Sequence, residues 1–160
     1  MNRSPQDKIY GFTLLEVLIT IAVLAVLSAA GVGYFRSSIV EVAAGSTMKS
    51  FVADIEAARG RAMVGDRGMV WGVRAVPTSG TWEFYATGTR SYAADVFTTE
   101  VRALPLGVFW VDPSTSTKSV EFAPVTGMTT TTTFILGYGA VQLQAAVDGG
   151  GGVQVTRVGG

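Results

Sequence analysis

The sequence predicts an α+β chain: a long N-terminal helix, apolar in its first half and amphipathic in its second, packed against a C-terminal antiparallel β-rich head. Three observations predict it. Residues 12–30, FTLLEVLITIAVLAVLSAA, are almost uninterruptedly apolar. From Tyr34 to about Val64, apolar residues recur every three or four positions, the period of a helix with one buried face. After Gly68 the chain changes to short alternating or β-branched runs separated by turns.

The apolar run comes first. Nineteen residues of helix rise about 28 Å, close to the roughly 30 Å hydrocarbon core of a bilayer. It follows a polar leader, MNRSPQDKIYG, with Arg3 and Lys8 against Asp7. That weak positive bias favours a cytoplasmic N-terminus. Within the run, Glu16 stands out. A carboxylate near the centre of a membrane helix costs roughly 2.5 kcal/mol or more, so it usually has a partner and a function. Glu16 lies one turn from Phe12. If the chain is cut between Gly11 and Phe12, Phe12 carries a new α-amine, positive near neutral pH. Glu16 can then pair with that amine on an adjacent subunit and fix the stagger between helices. The helix dipole also favours a carboxylate in the first turn. Two other readings compete: a secretory signal cut after Ser28-Ala29-Ala30, and a plain single-span anchor. A signal core is usually shorter and carries no buried carboxylate.

In the second half of the helix, Met48, Phe51, Val52, Ile55, Ala58, Ala62 and Met63 form the apolar stripe. Lys49, Asp54, Glu56 and Arg59 are expected off it. Gly31, Gly33 and Gly45 are its expected weak points, and Gly65-Asp66 with Gly68 its end. Strands are expected near 69–75, 82–87, 101–111, 119–123, 133–136, 141–146 and 153–157, with Pro105 breaking the third into two strands or a bulged one. Pro77–Gly80, Pro113–Thr117 and Thr126–Gly127 read as turns, and Gly149–Gly152 as a flexible loop. The aromatic clusters at 82–85 and 109–111 are expected in the core.

Composition narrows the chemistry. The 160 residues carry 12 Lys+Arg against 12 Asp+Glu, so there is no general pull toward nucleic acid or anionic lipid. There is no Cys and no His. Disulfides, thiolate sites and the commonest general base are absent. The head's acids, Glu83, Asp95, Glu100, Asp112, Glu121 and Asp148, show no spacing that marks a catalytic pair. Lys118 is the head's one lysine, so a serine nucleophile has little choice of base. Neither Asp112 nor Asp148 sits in a calcium-ligand run. The expectation is no enzyme, no cofactor and no metal.

Gly11-Phe12-Thr13-Leu14-Leu15-Glu16 resembles the prepilin peptidase motif of type IV pilins and type II secretion pseudopilins. The resemblance implies that the peptidase cuts after Gly11 and methylates Phe12, and it places the family's glutamate on Glu16. Many major pilins have a proline in this helix, whereas this chain has Gly31 and Gly33. Met48–Asp66, Gly80-Thr81-Trp82-Glu83-Phe84, Leu104-Pro105-Leu106-Gly107-Val108, Phe122-Ala123-Pro124 with Gly127, and Val153–Val158 are similar to the GspH/FimT subgroup of minor pseudopilins and minor pilins. This implies a pilin-like fold in four parts: residues 1–11 a cytoplasmic leader that is removed, 12–33 a transmembrane and filament-core helix, 34–65 its amphipathic half, and 66–160 the head.

The function so implied is a structural, minor subunit of a type II secretion pseudopilus or type IV pilus. Its partners would be prepilin peptidase, other pilin or pseudopilin subunits, an inner-membrane assembly platform and, before assembly, membrane lipid. It would sit in the bacterial inner membrane with the head in the periplasm. One alternative is a DNA-capturing minor pilin in competence, with Arg59, Arg61, Arg67 and Arg74 as candidate phosphate contacts. Balanced charge argues against it. The other is a membrane-anchored extracytoplasmic binding module.

Overall fold

The computed structural model describes residues 12–88 and 96–159, with backbone alone at 30–41, 98 and 99. Among the described residues, one α-helix, α1 (Leu14–Met63), precedes eight strands. These are β1 (Val70–Val76), β2 (Thr81–Thr87), β3 (Val96–Ala103), β4 (Val108–Asp112), β5 (Lys118–Phe122), β6 (Thr132–Tyr138), β7 (Val141–Val147) and β8 (Val153–Gly159). The chain divides into two compact units, residues 1–38 and 39–160.

In the second unit, the C-terminal stretch of α1 supplies the predicted stripe except at its end, where Met63 is 49% exposed. Met48, Phe51, Ile55, Ala58 and Ala62 are buried, three or four residues apart. Two four-stranded antiparallel sheets meet it, ordered β3-β2-β1-β5 and β4-β6-β7-β8. Trp71, Val73, Trp82, Phe84, Val120 and Phe122 come from the first; Trp110, Phe134, Leu136, Ala145 and Val147 come from the second. Strand alternation puts each set on one face. Phe51 touches both sheets, its ring edge-on to Trp82, Trp110 and Phe134. The helix stops where glycine allows it. Gly65 takes the left-handed conformation at φ 66° and donates its N–H to the Ala62 carbonyl at 3.0 Å. The Val125 N–H reaches the same carbonyl at 2.7 Å.

The structure decides one local alternative and corrects two local expectations. Of the two readings of the run 101–111, the two-strand one holds. The run ends at Ala103, turns through Leu104–Gly107, and resumes as β4 in the other sheet. Gly107 makes that turn at φ 86°. Asp54 is not off the stripe: it is buried, accepting the Trp82 indole N–H at 2.7 Å and facing the Arg102 guanidinium at 3.3 Å. The Gly149–Gly152 segment is a hydrogen-bonded turn, in which one Asp148 carboxylate oxygen accepts the Gly150 and Gly152 N–H groups at 2.9 and 2.8 Å.

Tyr85 is buried over Gly72, where an added Cβ would lie 2.7 Å from the Val120 carbonyl and 3.0 Å from the tyrosine ring. Its hydroxyl donates to Glu121 at 2.6 Å. Burial first, and then that bond, push the phenol well above its ordinary value of 10.0. An acid held protonated by folding contributes stability that is fully present below the unfolded value and lost as pH rises toward the folded one. The head should therefore lose roughly 1.4 kcal/mol per pH unit above about pH 10 from this residue. Tyr85→Phe should remove that share of the slope, as read from urea unfolding of the solubilised chain between pH 9 and 11.

Candidate assembly site on the N-terminal helix

The helix start is built by Thr13-Leu14-Leu15-Glu16, a Ser/Thr-x-x-Glu capping pattern. The Glu16 N–H donates to the Thr13 hydroxyl at 3.2 Å, and the Val17 N–H donates to the Thr13 carbonyl at 3.3 Å. Four residues on, the Thr20 hydroxyl donates to the Glu16 carbonyl. Thr13, Glu16 and Thr20 thus share one face of an otherwise apolar helix. Sequence reasoning singled out Glu16 and passed over Thr13 as its cap, although the Thr-x-x-Glu spacing was there to read.

Every large apolar side chain from Phe12 to Leu27 is exposed, with Phe12 at 83% and Leu14 at 80%. A helix apolar all round and uncovered has its burial still to find, in lipid or among other helices. Among the described residues no helix is long and apolar enough to cross a membrane; the apolar run continues past Ala29 into positions whose side chains lie outside the description. Glu16 is the one acid in the first turn. Phe12, where a new terminus would stand, lies one turn before it. Gly11 and the leader fall outside the described residues.

The four arginines are spread over different surroundings. Arg61 lies over the rings of Trp71 and Phe84, at 4.6 and 5.0 Å. Arg74 is three residues from Trp71 on β1, on the opposite face, across from Glu83 and Ser119. Arg67 sits exposed at φ 55° in the turn after α1. Arg59 is half-buried, its Nε packed where a Cβ on Gly151 would come within 2.7 Å. No common face joins Arg61 to Arg74. Arg102, which sequence reasoning did not select, is the better-placed cation. It bridges Asp54 and Glu100, and the Glu100 bond, opposed by burial and aided by Asp54, holds its pKa above the ordinary value. No local signal marks it, because Asp54 and Arg102 meet only through the tertiary fold. Among the described residues no group of acids could hold a metal ion.

The prokaryotic N-terminal methylation motif matches residues 7–32. No curated protein matches the chain. Among solved structures, the chain is similar to the minor pseudopilin EpsH from the type 2 secretion system of Vibrio cholerae, with 13% identity and a TM-score of 0.53. The likeness covers 71% of this chain and 96% of that one; at such identity it speaks for the fold. The chain thus carries the prokaryotic N-terminal methylation motif at its start and, over most of its length, the pilin-like fold of EpsH.

Proposed function

We propose that the chain is a minor structural subunit of a type II secretion pseudopilus or a type IV pilus, and that it works by assembly. The observation that carries this reading is Glu16: one carboxylate in the first turn of a helix whose large apolar side chains are all exposed. The likeness to EpsH favours the secretion pseudopilus.

Prepilin peptidase removes residues 1–11 and methylates Phe12. Residues 12–33 first hold the subunit in the bacterial inner membrane, with residues 34–65 and the head, 66–160, in the periplasm. An inner-membrane assembly platform then transfers the helix from lipid to a core of other subunits' helices. That exchange keeps apolar surface out of water, so its net cost is small beside insertion into water. Glu16 supplies direction: its carboxylate pairs with the methylated Phe12 α-amine of a neighbour, and only one axial stagger joins the two charges. Thr13 holds the backbone of that first turn in place.

Gly11→Val tests the processing step. A β-branched side chain at the cut position should leave the leader attached, keep the chain in the inner membrane and exclude it from sheared filaments. Filaments carrying the uncut variant at the wild-type level would remove this function.

A further inference from the structure

The first sheet carries a polar row on the face turned away from the core. Trp71, Val73, Val120 and Phe122 belong to the core. Gly72 and Glu121, between them on β1 and β5, therefore lie on the opposite face. There Tyr85, Gly72 and Glu121 stand in register across three strands. Gly72 has no side chain to interrupt the row: a Cβ would lie 3.0 Å from the Tyr85 ring. The tyrosine crosses that gap and donates its hydroxyl to Glu121 Oε1 at 2.6 Å. A fully buried phenol thus holds a half-buried carboxylate in place. A phenol does not neutralise that carboxylate. Among the described residues Glu121 makes no ion pair, and its Oε2 accepts no hydrogen bond.

Glu121 lines a cavity of about 610 Å³, within the roughly 300–1,000 Å³ usual for ligand sites. Thr126, Thr129 and Thr130 share its wall with Val70 and Met128. The Thr129 hydroxyl oxygen is buried and has no partner, a state that native structures rarely leave unanswered. The wall narrows the ligand by what it holds and what it lacks. Among the described residues no basic side chain lines it, so a phosphate or carboxylate would find no counter-charge. No aromatic ring among them lines it, so a sugar would have no face to stack on. Glu121 is the one acid in that lining, and no group of acids among the described residues could hold a metal ion. The lining offers a carboxylate with a free oxygen, hydroxyls that can accept, and apolar carbon. An ammonium group is all donors, and the methylenes behind it lie well against apolar side chains.

We propose that this cavity binds a primary alkylammonium group, with Glu121 as its counter-charge, Thr129 as a hydrogen-bond acceptor, and Val70 and Met128 against its methylene stem. A lysine side chain of a partner protein and a free diamine carry the same group. The site uses no residue of α1, so it goes beyond the assembly reading and does not depend on it.

The test follows isotope-labelled methionine methyl groups by NMR in the detergent-solubilised full chain. Met128 lines the cavity and is 60% exposed, and Met48, 1% exposed in the core, reports folding. The probes are cadaverine, an alanyl-lysyl-alanine peptide blocked at both ends, and the same peptide with its lysine acetylated. The Met128 methyl should shift saturably with cadaverine and with the lysine peptide, and stay in place with the acetylated one, while Met48 does not move. Glu121→Gln should weaken binding about tenfold, because hydrogen bonds to an ionised group are roughly twice as strong as neutral ones. Thr129→Val should weaken it several-fold. Tighter binding of the peptide assigns the site to a partner protein's lysine, and binding of cadaverine as tight or tighter assigns it to a free amine. An equal shift with the acetylated peptide, no saturable shift with either amine, or unchanged affinity in both variants would each overturn the proposal. The comparison of the two peptides is made on the unaltered chain, so it decides even where a variant loses the Met48 signal.

Discussion

Phe51→Ala is expected to destabilise the head by about 3–5 kcal/mol. Phe51 is fully buried. Its ring centroid lies 6.0 Å from Trp82 in one sheet, and 5.1 and 5.0 Å from Trp110 and Phe134 in the other. All three contacts are edge-on, the geometry aromatic quadrupoles favour. One side chain on α1 therefore joins both sheets to the helix. Alanine would leave a cavity bounded by three strands from two sheets and by a helix, and the sheets cannot collapse into it without breaking ladder bonds. The loss is a large share of the roughly 5–15 kcal/mol that holds an ordinary domain together. Phe51→Leu keeps much of the apolar volume and should cost clearly less. Urea unfolding of the solubilised chain, followed by tryptophan fluorescence, measures both. A loss below about 1 kcal/mol for the alanine variant would show that the core does not centre on this ring.

Glu16→Ala is expected to reduce incorporation into filaments by roughly a hundredfold or more. The warrant is the asymmetry of buried pairs. Removing one partner strands the other charge without compensation and costs about 3–5 kcal/mol, and 1.4 kcal/mol is a factor of ten. Here the stranded charge would be a neighbour's Phe12 amine. Membrane insertion should not suffer, since alanine removes a costly carboxylate from an apolar helix. Glu16→Gln should fail nearly as badly, because the amide keeps the shape and loses the charge. The assay is the ratio of chain in sheared filaments to chain in membranes, with wild-type partner subunits present. Undiminished incorporation of the alanine variant would sink the pairing mechanism.

Residues with local signals were legible in the sequence. The Met48–Ala62 stripe announces itself by spacing, and the buried faces of β1, β6 and β7 by alternation. The Pro77–Gly80 turn announces itself by proline and glycine, and the structure places Gly80 at φ 61° there. What escaped depended on distant partners. The first half of β3, Val-Phe-Thr-Thr-Glu, loses its two-residue period because the strand carries an extra residue against β2. β3 and β4 read as one interrupted run because alternation continues across Pro105, although the two strands belong to different sheets. Asp54 looked like a solvated helix charge. Its partners, Trp82 and Arg102, are 28 and 48 residues away in sequence, and only the fold brings them to it. In the candidate site, the apolar run and Glu16 were plain from hydropathy. The Thr13 cap was equally local, and it was hidden only by the weight given to the carboxylate beside it.

The mass of the N-terminal peptide, taken from the protein in its native membrane with and without its prepilin peptidase, tests the central claim most directly. The account predicts a peptide that starts at Phe12 and carries one added methyl group when the peptidase is present, and an uncut leader when it is absent. A start after Ala30, or an intact Met1 in both samples, would contradict it.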